Sequence, residues 1–324
     1  MPVLVTGATG LVGNNLVRQL LAMGRAVRVL ARPHSDPRPL QGLDVEVVAG
    51  DLRDERVVQT ACRDVSAVIH AAALLHIGRR YEALQTEINV QGTRHVARAA
   101  RLAQARFFNI STINALGASL DGRPFTEDSL TRSNVACGYV RSKQEAERIV
   151  HEEFARGLDA VSFFPGTLFG PWDWKPSTGR MIVEVVRRQP LMAPRGGVCV
   201  ADVSDVASVI VRALEVAPSG RRYILGGNNL TYFDLWTNIA KLAGTRPPLA
   251  SMGPIISRVV GLYGDFRTWV RGQEDDLNSR ALAMSRLFHY GDSSLAKSEL
   301  SYEIRPLDEI LRRAYFWLVE HHYV

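Results

Sequence analysis

The chain has 324 residues, 46% of them hydrophobic, enough for a substantial core in one large or two modest domains, and no apolar run approaches the roughly 18 residues of a membrane span. Its formal charge of +6 comes from 39 basic residues, of which only four are lysine, against 33 acidic ones; the arginines are spread among Asp and Glu along the whole chain, a compositional bias and not the clustered footprint of a nucleic-acid binder. Cys62, Cys137 and Cys199 are scattered without metal-ligand spacing, which argues against a disulfide framework and a metal site and makes a reducing cytoplasm the expected location.

The opening residues run directly into a strand, without the charged segment and apolar core of a secretory signal. Val3 to Val5 are wholly apolar, as a central strand of a parallel sheet requires. Gly7, Gly10 and Gly13 follow, and Leu11, Leu16, Val17, Leu20 and Leu21 recur at helical spacing. Strand, glycine turn and helix make the context of a dinucleotide site: one glycine for the tight turn, one for close approach of a pyrophosphate, one for helix–strand packing. The unpaired N–H groups of the first helical turn carry partial positive charge and suit that pyrophosphate. The expected contacts are Gly7, Thr9, Gly10, Leu11, Val12 and Gly13.

Met23 and Gly24 end the helix, and a second strand runs from Ala26 to Leu30. An NAD-preferring site places Asp or Glu at this strand end to bind the ribose 2′-hydroxyl. Here Arg32 occupies that region and no acid comes before Asp36. A guanidinium fork suits a 2′-phosphate, so NADP(H) is favoured over NAD(H); Arg28 and Arg38 are weaker candidates for the same phosphate. A third strand, Val45 to Val48, leads to Asp51, which either reaches an adenine amino group or serves as a turn residue before a helix beginning near Asp54.

A fourth strand, Ala67 to His70, runs into Ala71, Ala72 and Ala73, small enough for a flat cofactor to lie against the backbone. His70 reads as a packing residue; His76, in the next loop, is a candidate for facing substrate. A long helix spans roughly Tyr81 to Ala103, and Gly92 within it implies a close helix–sheet contact. A fifth strand, Phe107 to Ile110, ends in Ser111 and Thr112, at the sheet edge where open α/β folds bind ligands. A polar loop follows from Asp121 to Gly138.

Tyr139 and Lys143 then open a helix four residues apart, and so share one face. A free tyrosine titrates near 10. A lysine ammonium at roughly 4 Å, in an effective dielectric near 20, favours the phenolate by about 4 kcal/mol before desolvation. The pair is therefore expected to bring the tyrosine into the range of acid–base chemistry, with Thr112 or Ser111 holding a substrate oxygen.

A sixth strand, Ala160 to Phe164, ends in Pro165, Gly166 and Thr167, a floor for the nicotinamide. Trp172 and Trp174 open a second region, as pocket or as core. A helix is expected over Met181 to Arg188, another after Asp202 with Asp205 as its cap, and a last sheet strand over Tyr223 to Leu225. From Thr231 onward the chain reads as helical and aromatic, with breaks at Pro247-Pro248 and around Gly272. Val259, Leu262, Tyr263, Phe266 and Trp269 form an apolar face that could be a lid, an oligomer contact or core.

The ordered series TGATGLVG, a strand-end arginine, GDL, HAAA, NVQGT, Ser-Thr, YVRSK and PGTLFGP resembles the extended short-chain dehydrogenase/reductase family over nearly the whole chain. Trp172 through Arg180 and the late stretch G-D-S-S-L-A-K-S-E-L-S-Y resemble its dihydroflavonol-reductase-like branch, which includes proteins called NAD-dependent epimerase/dehydratase. The resemblance implies an α/β fold: a Rossmann-type doubly wound parallel sheet with a smaller, mostly helical C-terminal substrate lobe. The dinucleotide-binding domain would take residues 1–167, with 203–228 returning to it, and the lobe 168–202 and 229–324. It makes Thr112, Tyr139 and Lys143 the catalytic set, Thr112 because it lies five residues before Gly117. Lys143 would also hold the nicotinamide ribose, and Asp51, Leu52, Ala71 to Ala73, Asn89, Ser111, Tyr139 and Pro165 to Thr167 would line the cofactor.

Two departures weaken a sugar-nucleotide substrate: F-F-P-G-T lacks the arginine that many such members carry before the proline, and V-C-V-A-D-V-S-D-V lacks their arginine–aspartate pairing. Arg180, Arg187, Arg188 or Arg195 remain available to a diphosphate. The leading expectation is an NADP(H)-dependent oxidoreductase acting on a ketone or alcohol of a mid-sized organic substrate. The alternatives are a nucleotide-sugar epimerase or dehydratase with recycled cofactor, and a redox sensor that binds NADP without turnover. The expected partners are a small-molecule substrate and, through helices near Tyr81 and Gly138 that resemble the family's pairing helices, a second copy in a homodimer, with no nucleic acid and no membrane.

Overall fold

The computed structural model describes residues 1–119, 121–129, 137–271, 274 and 278–324. Its first half runs β1 (Val3–Thr6), α1 (Leu11–Ala22), β2 (Val27–Ala31), β3 (Glu46–Ala49), α2 (Glu55–Ala61) and β4 (Ala67–His70). There follow α3 (Glu82–Gln85), a π-helical run (Thr86–Gln91), α4 (Gly92–Leu102), β5 (Arg106–Ile110), α5 (Ile113–Leu116), α6 (Gly138–Ala155) and β6 (Ala160–Pro165). The second half holds β7 (Thr167–Phe169), α7 (Gly179–Arg188), β8 (Met192–Ala193), β9 (Gly197–Asp202), α8 (Val203–Val216), β10 (Arg222–Leu225) and β11 (Asn228–Thr231). It closes with α9 (Tyr232–Leu242), β12 (Ala250–Ser251), α10 (Pro254–Arg271), α11 (Ser279–Met284), β13 (Phe288–His289), α12 (Ser294–Leu300) and α13 (Leu307–Glu320).

Seven strands form one parallel sheet in the order β10-β6-β5-β4-β1-β2-β3. Strand order reverses beside β1, the switch point at which doubly wound sheets bind nucleotides. β1 and β4 are buried along their whole length because helices cover both faces. On one face Leu16, Val17 and Leu20 of α1 pack with Val206 and Ile210 of α8; on the other, Val58 of α2 packs with Val96 and Ala100 of α4. Helix α1 stops at Met23 because Gly24 turns left-handed, with φ of +70°.

The second lobe adds a small sheet to the expected helices: β9 pairs with β7, β11 and β13. Trp174, Trp317 and Leu318 lie in the lobe's own core, with the Trp174 and Trp317 rings edge to face at 5.4 Å. The loop break around Gly272 and residues 130–136 of the polar loop lie outside the described residues.

Two local expectations are corrected. Gly92 does not adjoin the sheet: a Cβ there would lie 3.2 Å from Leu52, so the glycine makes room for a loop side chain where the helix leaves its π-helical run. The cap of α8 is Asp202, which accepts from Ser204 N at 2.7 Å; Asp205 pairs instead with Arg305 at 2.7 Å.

Candidate active site

The glycine turn between β1 and α1 has three different surroundings. Gly7 adopts φ of +71°, and a Cβ on it would strike the main chain of Ala72 at 2.6 Å. A Cβ on Gly13 would lie 2.1 Å from the Gly7 oxygen, so only glycine lets α1 approach β1 this closely. At Gly10 the nearest atom is 3.4 Å away and the residue is exposed: this is the open side of the cradle. Gly10 is also the helix N-cap and has no side chain to satisfy the first turn. An unhindered backbone at the positive end of a helix is what a pyrophosphate needs, so these residues fit a dinucleotide. Thr9, Leu11, Val12 and Gly13 surround that end.

Asn14 and Asn15, which the motif alone does not single out, brace the turn. Asn14 Nδ2 donates to Ala8 O at 3.3 Å and Pro39 O at 2.6 Å, while Asn15 Nδ2 reaches Pro171 O at 3.0 Å and ties the turn to the second lobe. Arg18, one turn on, stacks its guanidinium 3.4 Å from the centre of the Trp172 ring.

Arg32 is exposed immediately after β2 and helps hold the Asp51 carboxyl below its ordinary range, an effect led by the hydrogen bonds from Arg53. Asp51 Oδ1 accepts from Arg53 N at 2.9 Å and forms a turn; Asp54 caps α2. The other two arginines are engaged. Arg28 binds Ala61 O at 3.0 Å and Glu46 at 2.8 Å, and Arg38 pairs with Asp36 at 2.6 Å.

At the carboxyl end of β4, His70 is buried between Thr6 Oγ1 at 2.7 Å and Thr93 Oγ1 at 3.0 Å. Burial pushes its pKa down to about 3, so it is a neutral packing residue. Ala71 and Ala72 are half-buried and Ala73 exposed along the same edge, and Ala71 N donates to Thr6 O at 3.2 Å. His76 faces Glu274, with Nε2 2.7 Å from its carboxylate. Asn89 is buried and fully engaged: its oxygen accepts from Leu74 N at 2.7 Å and its amide donates to Leu74 O at 3.1 Å and Ser142 Oγ at 2.9 Å. It thereby clamps the loop after β4 to α6.

That clamp sets the helix bearing Tyr139 and Lys143. Both are buried, as are Ser111 and Thr112 at the end of β5. Thr112 caps α5 by accepting from Asn114 N at 3.4 Å, which leaves its hydroxyl hydrogen as a donor. Lys143 Nζ donates to Ile110 O at 2.8 Å.

The electrostatics correct the expected sign at the tyrosine. Burial dominates and pushes the Tyr139 phenol up to about 12, while the neighbouring Thr112 hydroxyl acts the other way. Burial also brings the Lys143 ammonium down to about 8, opposed by the Glu147 carboxylate. The i, i+4 spacing does place the lysine one turn away, but its ammonium is directed at a strand carbonyl, and burial is the leading influence on both groups.

Two further features were not visible in the motif. Glu147, another turn along α6, accepts from Asn109 Nδ2 on β5. The Ser111 hydroxyl, close enough to favour the Glu147 carboxylate, is buried without a hydrogen bond at ordinary distance. Asn14, Asn15 and Glu147 are polar residues on otherwise amphipathic helices; their being polar at core-facing positions is the signal that could have found them. Beyond β6, a Cβ on Gly166 would strike Cys199 O at 2.3 Å, so Pro165–Thr167 runs hard against β9. Arg180, Arg187, Arg188 and Arg195 are exposed on the lobe, Arg188 paired with Glu184 at 2.5 Å.

A parallel sheet with a glycine cradle at its switch point fits the extended short-chain dehydrogenase/reductase fold, and the chain is an NAD(P)-dependent oxidoreductase of that type. The sequence agrees. Residues 3–226 match the model of the NAD dependent epimerase/dehydratase family, and the chain belongs to that family. It is 32% identical to the sterol demethylase protein B of Methylococcus capsulatus, over 93% of each chain. It is 31% identical to a Synechocystis protein named as a candidate dihydroflavonol 4-reductase, over 99% of this chain and 95% of the relative. The crystal structure of gox2253 superposes with a TM-score of 0.88 at 32% identity, covering 100% of this chain and 99% of the other.

Proposed function

We propose that this protein reduces a ketone to an alcohol, or runs the reverse reaction, with NADP(H) and the set Thr112, Tyr139 and Lys143. The observation that carries the proposal is the burial of all three side chains together where β5 ends and α6 begins, with β4 between that strand end and the glycine cradle that follows β1.

A bound nicotinamide supplies or takes up the hydride. The chain's own residues handle the oxygen and its proton. Tyr139 is held protonated by burial, so at neutral pH it is a neutral donor placed to give its proton to the oxygen as negative charge develops there. Thr112, beside the phenol, donates to the same oxygen and orients it. Lys143 still carries its charge at neutral pH and is anchored to Ile110, so it supports the phenolate that remains.

Arg32 supports NADP(H). It stands at the end of β2 where an NAD-preferring site carries an acid, and it is exposed near the Asp51 carboxylate, which Arg53 already pairs with. The test is to purify the protein, release and identify any bound dinucleotide, and follow absorbance at 340 nm (the NADPH band) with a panel of carbonyl compounds. Steady NADPH consumption is the expected result. Tightly bound dinucleotide with silent absorbance would instead make the protein an epimerase or dehydratase that recycles its cofactor.

A further inference from the structure

The sheet face beneath α6 turns polar as it nears the site. Phe107 of β5 packs with Val150 of α6 on that face, while Phe108 and Ile110 belong to the core on the other. Strand alternation therefore sends Asn109 and Ser111 toward α6. Ser162 stands opposite Asn109 on β6, its hydroxyl 3.5 Å from Asn109 Nδ2. Glu147 of α6 accepts from the same amide. Lys143, one helical turn earlier, donates to Ile110 O at 2.8 Å, between the two polar strand residues. Asn109, Ser111, Ser162 and Lys143 are buried. Glu147 is half-buried beside the exposed Arg148, so it lies where this polar cluster meets solvent.

The cluster has hydrogen-bonding capacity to spare. Among the described residues the Lys143 ammonium, with three N–H donors, makes one hydrogen bond. The Ser111 hydroxyl and Asn109 Oδ1 are buried without a partner, which costs about 1–3 kcal/mol for each such group and calls for a reason. The Ser111 hydroxyl lies near enough to Glu147 to favour its carboxylate, and a hydroxyl both donates and accepts. Burial lifts the Glu147 carboxyl above its ordinary range, opposed by Lys143 on its own helix and then by Arg222 of β10. The nearby His70 feels the Lys143 charge and stays neutral. A lifted carboxyl carries protons nearer neutral pH than a free one does.

We propose that Glu147, acting through Ser111 and Lys143, is the inlet for the proton that Tyr139 gives up in each turnover. The proposal rests on the reductase reading and adds to it the return of that proton. Tyr139 is 7% exposed and Lys143 3%, so with substrate and dinucleotide seated the phenolate has little direct access to solvent. Once Tyr139 has passed its proton to the alcohol oxygen, the phenolate takes one from the Lys143 ammonium: an O–H bond forms and an N–H bond breaks. The neutral amine takes the Ser111 hydroxyl proton as Ser111 takes one from the Glu147 carboxyl, and the carboxylate is protonated again by water. One proton enters for each one that leaves in the alcohol, and all four groups return to their starting states. Glu147 is thus a positioning residue that works behind Lys143.

Absorbance at 340 nm in two regimes tests the relay, at pH 6, well below the Lys143 value of about 8. With enzyme in excess over NADPH, the single turnover uses the proton already on Tyr139. With NADPH in excess, every later turnover waits for the relay. In Glu147→Gln the steady-state rate is expected to fall about tenfold or more, and by a clearly larger factor than the single-turnover rate, with melting temperature and dinucleotide affinity retained. Ser111→Ala is expected to show the same steady-state loss. Glu147→Ala is expected to regain its steady-state rate with added formate, a small acid that fits the space left by the side chain, and not with chloride. Equal losses in the two regimes for Glu147→Gln overturn the relay. So does a steady-state rate close to wild type in Glu147→Gln or Ser111→Ala, and so does a Glu147→Ala enzyme that ignores formate. Wild-type protein that consumes no NADPH with any ketone fails the reductase reading itself and takes the relay with it.

Discussion

The Lys143 ammonium donates to the carbonyl of Ile110, the last residue of β5, at 2.8 Å. One bond thus fixes both the lysine and the register of α6 against the strand whose end carries Ser111 and Thr112. Because the helix is pinned there, Tyr139 one turn earlier is held over the same strand end. The charge that matters in this site is positioned by the sheet.

Glu147 extends that arrangement by another turn, and it is the clearest positioning residue in the structure. The folded-state pKa of Lys143 lies at about 8, below its ordinary value of 10.5. The unfolded chain therefore holds this proton more tightly than the native state between those values, and stability rises with pH across that window. Glu147 opposes the downward shift, so Glu147→Gln lowers the Lys143 pKa further. Melting temperatures measured from pH 6 to pH 10 should show the rise beginning at lower pH in the variant than in wild type. An unchanged onset would mean that the carboxylate does not act on Lys143.

The glycines of the cradle separate folding from binding. Gly13→Ala drives a Cβ into the Gly7 carbonyl, and is expected to cost about 1–3 kcal/mol of stability as an overpacked contact. Gly10→Ala meets nothing closer than 3.4 Å and is expected to leave the melting temperature nearly unchanged. The added methyl group occupies the pyrophosphate's approach, so dinucleotide affinity should fall at least tenfold. Calorimetry and a binding titration on both variants check this; normal affinity in Gly10→Ala would move the pyrophosphate elsewhere.

Arg32→Ala should discriminate between the two dinucleotides. Loss of a hydrogen bond to a charged group costs about 1.5–3 kcal/mol, so NADP(H) affinity should fall by roughly 10- to 100-fold while NAD(H) affinity changes little. Equal losses for both cofactors would remove Arg32 from the 2′-phosphate.

The middle of the sheet was legible because strands such as β1 and β4 are buried on both faces and so read as apolar runs. Ala67–His70 is the same in sequence and structure for this reason. The Tyr139–Lys143 spacing was legible because helical geometry fixes who shares a face. What spacing does not carry is burial and direction. The tyrosine pKa moved opposite to expectation because both groups are desolvated and the ammonium bonds to the backbone. The apolar face of α10 was equally visible as a period, yet a period does not say whether the face turns in or out. The small second sheet escaped notice because it is made by long-range pairing of short strands, Phe288 and His289 alongside Gly197 and Val198. The π-helical run at Thr86–Gln91 leaves no trace in the pattern of apolar residues.

The most direct measurement of the central claim is single-turnover NADPH oxidation by Tyr139→Phe beside wild type, with dinucleotide affinity determined on the same samples. Removal of a general acid costs typically 10²- to 10⁴-fold in rate, and the described neighbour of the phenol is the Thr112 hydroxyl, which lies outside the glycine turn. The account predicts a loss of turnover in that range with cofactor affinity retained. Turnover within a few-fold of wild type, at unchanged affinity, would contradict it.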